Sequence, residues 1–202
     1  MKLKYLTHDK LNLATIRSSP YLCEDMSVKQ SEKTYQQCEG CIKDHLKFGY
    51  IQIYYLKFPY LYVTTPPMKC LFGIQNNNGS FNMSLQFTNL KEDETMKSFY
   101  DFIQAVEFEC MKNIGLTMED ADNFISQIKQ DKKGIYDPNL SVKLPFSYNK
   151  FQVEIYSDEY DTVNLFQIQK FTPMQCDLFI DKIWRINNKF YAKWKCKMIK
   201  LT

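Results

Sequence analysis

The clearest pattern in the chain runs from Phe81 to Phe87. Phe81, Met83, Leu85 and Phe87 point one way, while Asn82, Ser84 and Gln86 point the other. A period of two with one apolar and one polar side predicts a strand with one buried face and one wet face. The Asn76-Asn77-Asn78-Gly79 run before it predicts a tight turn. Upstream, residues 50–56 and 60–64 are rich in aromatic and β-branched side chains, with Pro59 marking the turn between them. Thr65-Pro66-Pro67 ends the second run, because proline cannot donate to a ladder.

The period changes over 92–114. Phe99, Phe102, Ile103, Val106 and Cys110 recur at three- and four-residue spacing, which predicts a helix. Glu92, Asp93 and Glu94 crowd its first turn, where the helix dipole favours acids, and Gly115 is a stop signal. A shorter helix is expected over 118–128, with Phe124, Ile125 and Ile128 as its apolar stripe. Strand patterns return at 140–146, 151–156, 163–170, 176–186 and 189–201, and Asn187-Asn188 reads as the turn of a terminal hairpin. Residues 1–47 fit least well. They suggest a short strand or two, a turn at Ser18-Ser19-Pro20 and a mobile or helical polar stretch from Ser27 to Lys47. The expected organisation is an N-terminal strand with a variable extension (1–47), then a mainly β (α+β) domain (48–202) with a helical insertion at about 92–129. No internal repeat or low-complexity tract interrupts it.

Composition sharpens this picture. At 202 residues the chain fits one domain with a decorated edge. Its 15 Phe, 14 Tyr and 2 Trp favour strands, and such rings also make stacking platforms. Only 6 Gly argues against a phosphate-cradling loop. A net charge of +3 is too small to imply nucleic acid by itself, but its distribution is uneven. From Glu92 to Asp122 there are nine acids against Lys97 and Lys112; from Lys182 onward there are seven Lys or Arg and no acid. One face should be negative and another positive. No apolar run has the length of a membrane span, and Met1 to Lys10 hold no signal-peptide core, so the expected address is cytoplasmic and no membrane contact is expected. The seven cysteines then read as reduced thiols.

Three constellations are candidates for chemistry. In the last strand Phe190, Ala192, Trp194, Cys196 and Met198 share one face, and Tyr191, Lys193, Lys195 and Lys197 share the other. This predicts three ammonium groups in a row about 7 Å apart, close to the phosphate spacing of an extended single strand. A solvated edge strand is the plainer alternative, because lysines also deter edge-to-edge pairing. The second constellation is Tyr54, Tyr55, Tyr60, Tyr62 and Phe72 among Lys57 and Lys69, where rings could stack bases or simply fill the core. The third is Cys38-Glu39-Gly40-Cys41 with His45 and Cys23. These are four ligands of the right type for tetrahedral zinc, but the second knuckle is missing, and unrelated thiols explain them better. No Walker-type loop, nucleophile elbow or acidic triad on a strand appears, and His8 and His45 are the only histidines. The acids at 92–122 follow helical spacing, which fits a solvated helix face better than a metal-dependent nuclease. Neither an enzymatic activity nor a cofactor is expected.

Several segments, in order, resemble one family. Tyr62-Val63-Thr64-Thr65-Pro66-Pro67-Met68 precedes Leu71-Phe72-Gly73-Ile74; an inserted helical stretch follows; then come Tyr136-Asp137-Pro138 and Val142-Lys143-Leu144-Pro145. Ile183-Trp184-Arg185-Ile186-Asn187-Asn188-Lys189-Phe190 and Ala192-Lys193-Trp194-Lys195 close the series and are its most specific part. From about residue 48 to the end, this is similar to the phage-type single-stranded DNA-binding proteins of nucleo-cytoplasmic large DNA viruses. The resemblance implies an OB-type five-stranded barrel with additional strands and a helical insertion. It also implies coating of single strands during replication, recombination or repair, with Lys143, Lys189, Lys193 and Lys195 as backbone contacts. Single-stranded DNA, replication proteins and further copies of the chain are the partners it suggests, in the host cytoplasm or a viral factory. Two departures stand out: Tyr191 replaces the glycine that often follows the terminal phenylalanine, and the acidic C-terminal tail of phage members is absent. Candidate contacts are thus Tyr54, Tyr60, Tyr62, Lys69, Phe72, Lys143, Lys189, Tyr191, Lys193, Lys195 and Lys197. A viral β-barrel scaffold and an RNA-binding barrel of the same class are the alternatives.

Overall fold

The computed structural model describes residues 16–18, 22–23, 36–37, 48–55, 60–157 and 164–202. Its strands begin with β1 (Ile16–Ser18), β2 (Leu22–Cys23), β3 (Gln36–Gln37), β4 (Phe48–Tyr55), β5 (Leu61–Thr64), β6 (Met68–Cys70), β7 (Gln75–Asn77) and β8 (Ser80–Gln86). Helix α1 (Glu94–Asn113) follows, then β9 (Ile128–Lys129), β10 (Asn139–Leu144), β11 (Phe146–Ser147), β12 (Lys150–Phe151) and β13 (Glu154–Tyr156). The chain closes with β14 (Thr172–Ile180), β15 (Lys182–Ile186), β16 (Lys189–Ala192) and β17 (Trp194–Leu201).

Five strands close on themselves. β6 pairs with β8, β8 with β10, β10 with β17, β17 with β14, and β14 returns to β6. Within the ring β10 and β17 run parallel, with Val142 opposite Trp194 and Lys143 opposite Lys195, and the other four pairs are antiparallel. The fold is therefore mainly β: a closed OB-type barrel with extra strands outside it and an inserted helix. In chain order, β6, β8, β10, β14 and β17 are its first to fifth strands. The hairpin β15–β16 joins the last two, and pairs through β15 with β4, which also carries β1 and β2.

Alternation along the barrel strands decides what is inside. Phe81, Met83, Leu85 and Phe87 are buried as the period of two requires, and so are Leu140, Val142 and Leu144 of β10. α1 packs its stripe of Met96, Phe99, Phe102, Ile103, Val106 and Cys110 onto the same core, with Phe99 6.0 Å from Phe87 and Phe102 6.5 Å from the fully buried Trp194. Asp93 caps the helix by accepting from the Met96 amide at 3.0 Å. Cys70, Cys176 and Cys196 are free, buried thiols of the barrel wall, and burial raises the Cys70 thiol above its usual value. Gly73 sits at φ +69°, and a Cβ there would meet the Ile168 carbonyl oxygen at 2.8 Å, which gives the glycine of the Phe72-Gly73 step a steric reason. Asn187 and Asn188 both take positive φ, the backbone of a tight hairpin turn.

Several expectations are corrected. The helix expected over 118–128 is shorter: Met118–Asn123 is a 3-10 helix, the chain then extends, and Ile128 enters β9. The Ile125 amide donates to the Phe190 carbonyl at 2.8 Å, so contact with the β15–β16 hairpin replaces helical bonds. Within 163–170, Leu165–Gln167 is a 3-10 turn capped by Asn164 rather than a strand; Val163 lies outside the described residues. Pro145 divides 140–146, and Asp181 separates β14 from β15 within 176–186. The segment 189–201 is also two strands, parted at Lys193, and its second strand carries a bulge. Leu178 faces Cys196 but Asp177 faces Met198, so Lys197 is the extra residue. Beyond it the faces exchange: Ile199 is buried, and Met198 leaves the face it was expected to share with Trp194.

Candidate nucleic-acid interface

The wet faces of β8, β10 and β17 form the outer surface of the second, third and fifth barrel strands. OB-type barrels bind oligonucleotides across the second and third strands and the loops that flank them. Here the loop after the first strand contributes Gln75 and Asn77, and the connection before the fifth contributes Tyr191 and Lys193. Together with Asn82, Ser84, Ser141, Lys143, Ile125, Gln127 and Lys129 they line a cleft of about 230 Å³. Its far wall is the 124–129 segment, held at three places. The Gln127 amide donates to Glu107 Oε1 at 2.7 Å, the Ser141 amide to the Gln127 carbonyl at 2.9 Å, and the Ile125 amide to Phe190. Burial pushes the Glu107 carboxyl above the usual range, against the bonds from Ser126 and Gln127 that favour its anion.

A second cleft, of about 440 Å³, lies on the other side of Lys143. Tyr60, Tyr62, Phe146 and Phe179 supply its rings, and Lys143, Lys195 and Lys197 its cations. The rings form a cluster: Tyr60 to Tyr62 is 5.5 Å, and Phe179 is 5.9 Å from each. Phe179 faces outward because its neighbours Leu178 and Ile180 take the buried face of β14. Burial raises the Tyr62 phenol, helped by Tyr60 and Asp181.

The lysines are not equivalent. Lys195 donates to Asp181 Oδ2 at 2.7 Å in a mostly buried pair, and lies 5.7 Å from the Phe179 ring. Lys197 pairs with Glu154 at 3.3 Å in the open. Lys193 stands over the Tyr191 ring at 5.6 Å. Burial lowers the Lys143 ammonium below the ordinary lysine value, and the charges of Lys193 and Lys195 lower it further, against the opposing Asp181. The three lysines expected as an even row differ in setting: Lys193 falls at the break between strands, Lys197 is the bulged residue, and Lys195 and Lys197 hold carboxylates.

Of the candidates read from sequence, Tyr60, Tyr62, Lys143, Lys195 and Lys197 meet in the aromatic cleft, and Lys143, Tyr191 and Lys193 in the polar one. Lys69 and Phe72 are exposed but line neither cleft. Lys189 binds the Asp122 carbonyl at 3.0 Å and Asn123 Oδ1 at 3.2 Å, which fastens the hairpin to the insertion. The Tyr54 and Cys23 side chains, and Cys38, Cys41 and His45, lie outside the described residues. Among those described, no group of three His, Cys, Asp or Glu could hold a metal ion, and no helix is long and apolar enough to cross a membrane. Sequence reasoning missed Phe146, Phe179 and Asp181. Phe179 was legible as the one ring on the polar side of Leu178 and Ile180, whereas Asp181 carried no signal. No family model matches the chain, and the curated proteins give no match either.

Proposed function

We propose that this chain is a non-catalytic single-stranded DNA-binding protein that coats exposed strands during replication, recombination or repair. Membership of the phage-type family that its motifs resemble is part of that reading. The observation that carries it is the meeting of two clefts at Lys143, one lined by amides and hydroxyls and one by rings, on the barrel face that such folds use for oligonucleotides. Rings accept any base by stacking, while lysines neutralise phosphates without reading sequence. A duplex hides its base faces and offers only the second of these contacts.

The test is a fluorescence-anisotropy titration with labelled oligo-dT, the matching duplex and oligo-U at two salt concentrations. Tight, salt-sensitive binding to oligo-dT with weak duplex binding is expected. Preference for oligo-U would reassign the chain to RNA, and no binding to any of the three at low salt would exclude a nucleic-acid role.

A further inference from the structure

The short hairpin β11–β12 belongs to neither large sheet. Phe146 pairs with Phe151 and Ser147 with Lys150, leaving Tyr148 and Asn149 as the two turn residues, at φ 51° and 56°. Such a turn favours Asn, Asp or Gly, and a tyrosine in left-handed backbone is uncommon. Tyr148 is also 94% exposed, and no hydrogen bond or ring contact holds it among the described residues. Nothing among the described residues rewards a large ring at this position.

The root of the hairpin is firmly seated. Phe146 and Phe151 lie 5.0 Å apart, and each is 4.8 Å from Phe81; Phe166 is 5.4 Å from Phe151. The Gln152 amide donates to the Pro145 carbonyl at 2.8 Å, and its side-chain Nε2 lies 3.3 Å from the carbonyls of both Ser147 and Lys150. The ring of Tyr148 is thus carried on a braced arm. That arm rises from the rim of the aromatic cleft, because Phe146 and Ser147 line it beside Tyr60, Tyr62 and Phe179. Cations surround the approach: Lys143, Lys195 and Lys197 in the cleft and the exposed Lys150 on the arm itself. Flat apolar rings beside an anionic backbone are the complement of this surface, and an unpaired nucleotide has both.

We propose that the Phe146–Phe151 hairpin is a base-capture arm, in which Tyr148 stacks on an unpaired base at the mouth of the aromatic cleft. The inference rests on the single-strand reading above and adds a contact outside the barrel strands and their two flanking loops. The stack uses the ring face, so the phenol hydroxyl is dispensable and any base serves.

The experiment compares wild type, Tyr148→Ala and Tyr148→Phe on oligo-dT and on the same oligomer with abasic sites. Tyr148→Ala is expected to weaken oligo-dT binding about 5- to 150-fold, the range for one lost stacking contact. Tyr148→Phe keeps wild-type affinity, and on the abasic oligomer all three proteins bind alike. Because the side chain is exposed, the melting temperature of Tyr148→Ala stays that of wild type. Equal binding of wild type and Tyr148→Ala to oligo-dT overturns the arm while leaving the single-strand reading intact. An equal loss on the abasic strand overturns it too, because the contact is then to backbone. Wild type that binds no single strand overturns both.

Discussion

Lys143 lies between two clefts of different chemistry. On one side Gln75, Asn77, Asn82, Ser84, Gln127 and Ser141 offer amides and hydroxyls, with Lys193 over a tyrosine ring. On the other, Tyr60, Tyr62, Phe146 and Phe179 offer rings, and the lysines that serve them, Lys195 and Lys197, are each held by a carboxylate. The polar side can bond to a strand's edges as it stands. On the proposed single-strand reading, the aromatic side must first exchange carboxylates for phosphates. On that reading, the Lys195–Asp181 and Lys197–Glu154 pairs compete with the ligand, and salt, which screens exposed pairs most, loosens the Lys197–Glu154 pair as well as any phosphate contact.

The largest effect expected is loss of the barrel that carries both sides. Trp194 is fully buried, so Trp194→Ala should cost about 3–5 kcal/mol in denaturant unfolding. Its indole N–H meets no acceptor among the described residues, so Trp194→Phe should cost far less; equal losses would mean that the indole has a partner. Next comes the double charge reversal Lys193→Glu with Lys195→Glu. It should weaken oligo-dT binding by at least tenfold and reduce the slope of log affinity against log salt by about 2, and it should lower stability as well, because Lys195→Glu sets a second carboxylate against Asp181. An unchanged slope would move the phosphate path elsewhere.

The rings separate the two sides more finely. Tyr60→Ala with Tyr62→Ala should cost about 1–3 kcal/mol for each base unstacked, and this loss should persist at high salt where the lysine losses fade. The smallest effect concerns the exposed Lys197–Glu154 pair: Glu154→Gln should change stability by less than about 1 kcal/mol. The same change frees a cation, so oligo-dT binding at low salt should tighten slightly, whereas weaker binding would mean that Glu154 positions Lys197.

Lys143 couples both sides to pH. Its pKa is lowered in the folded chain, so at neutral pH its charge opposes folding. As pH rises from the folded pKa toward the ordinary lysine value, the native state gives up the proton first and that penalty is lifted. A phosphate beside Lys143 does the reverse, favouring the charged form. Strand affinity should then fall over the same alkaline window in which the Lys143 contribution to stability improves. Lys143→Arg, charged throughout, should keep its affinity there; a parallel fall in both proteins would exclude Lys143 as the titrating group.

How much could be read in advance depended on how local each cause is. The β8 strand was legible because a face against the core and a face against water leave alternation in the residues themselves. Helix α1 was legible for the same reason at its own period. At 118–128 the spacing of Phe124, Ile125 and Ile128 imitated a helix, but these residues are placed by β9, the β15–β16 hairpin and Glu107, all distant in sequence. Extrapolating the period of two through Lys197 failed at one bulge, which no residue type announces. Half of the site was visible as lysines and tyrosines on wet faces. The carboxylates that restrain those lysines were not, because Asp181 reaches Lys195 beside the β14–β17 pairing and Glu154 reaches Lys197 across the β13–β17 pairing, both between residues distant in sequence.

The buried sulfurs of that ring have a further use. Cys70, Cys176 and Cys196 are sealed from water, and burial raises the Cys70 thiol above its usual value. A reagent that modifies thiolates reaches them when the wall parts. With Cys23, Cys38 and Cys41 replaced by serine, the rate of labelling at these positions becomes a clock for barrel opening, with Cys110 on the helix as a separate reading of its detachment. A ligand that bridges the second, third and fifth strands should slow the three barrel sites together, so the protein carries its own gauge of how firmly an occupant holds it shut.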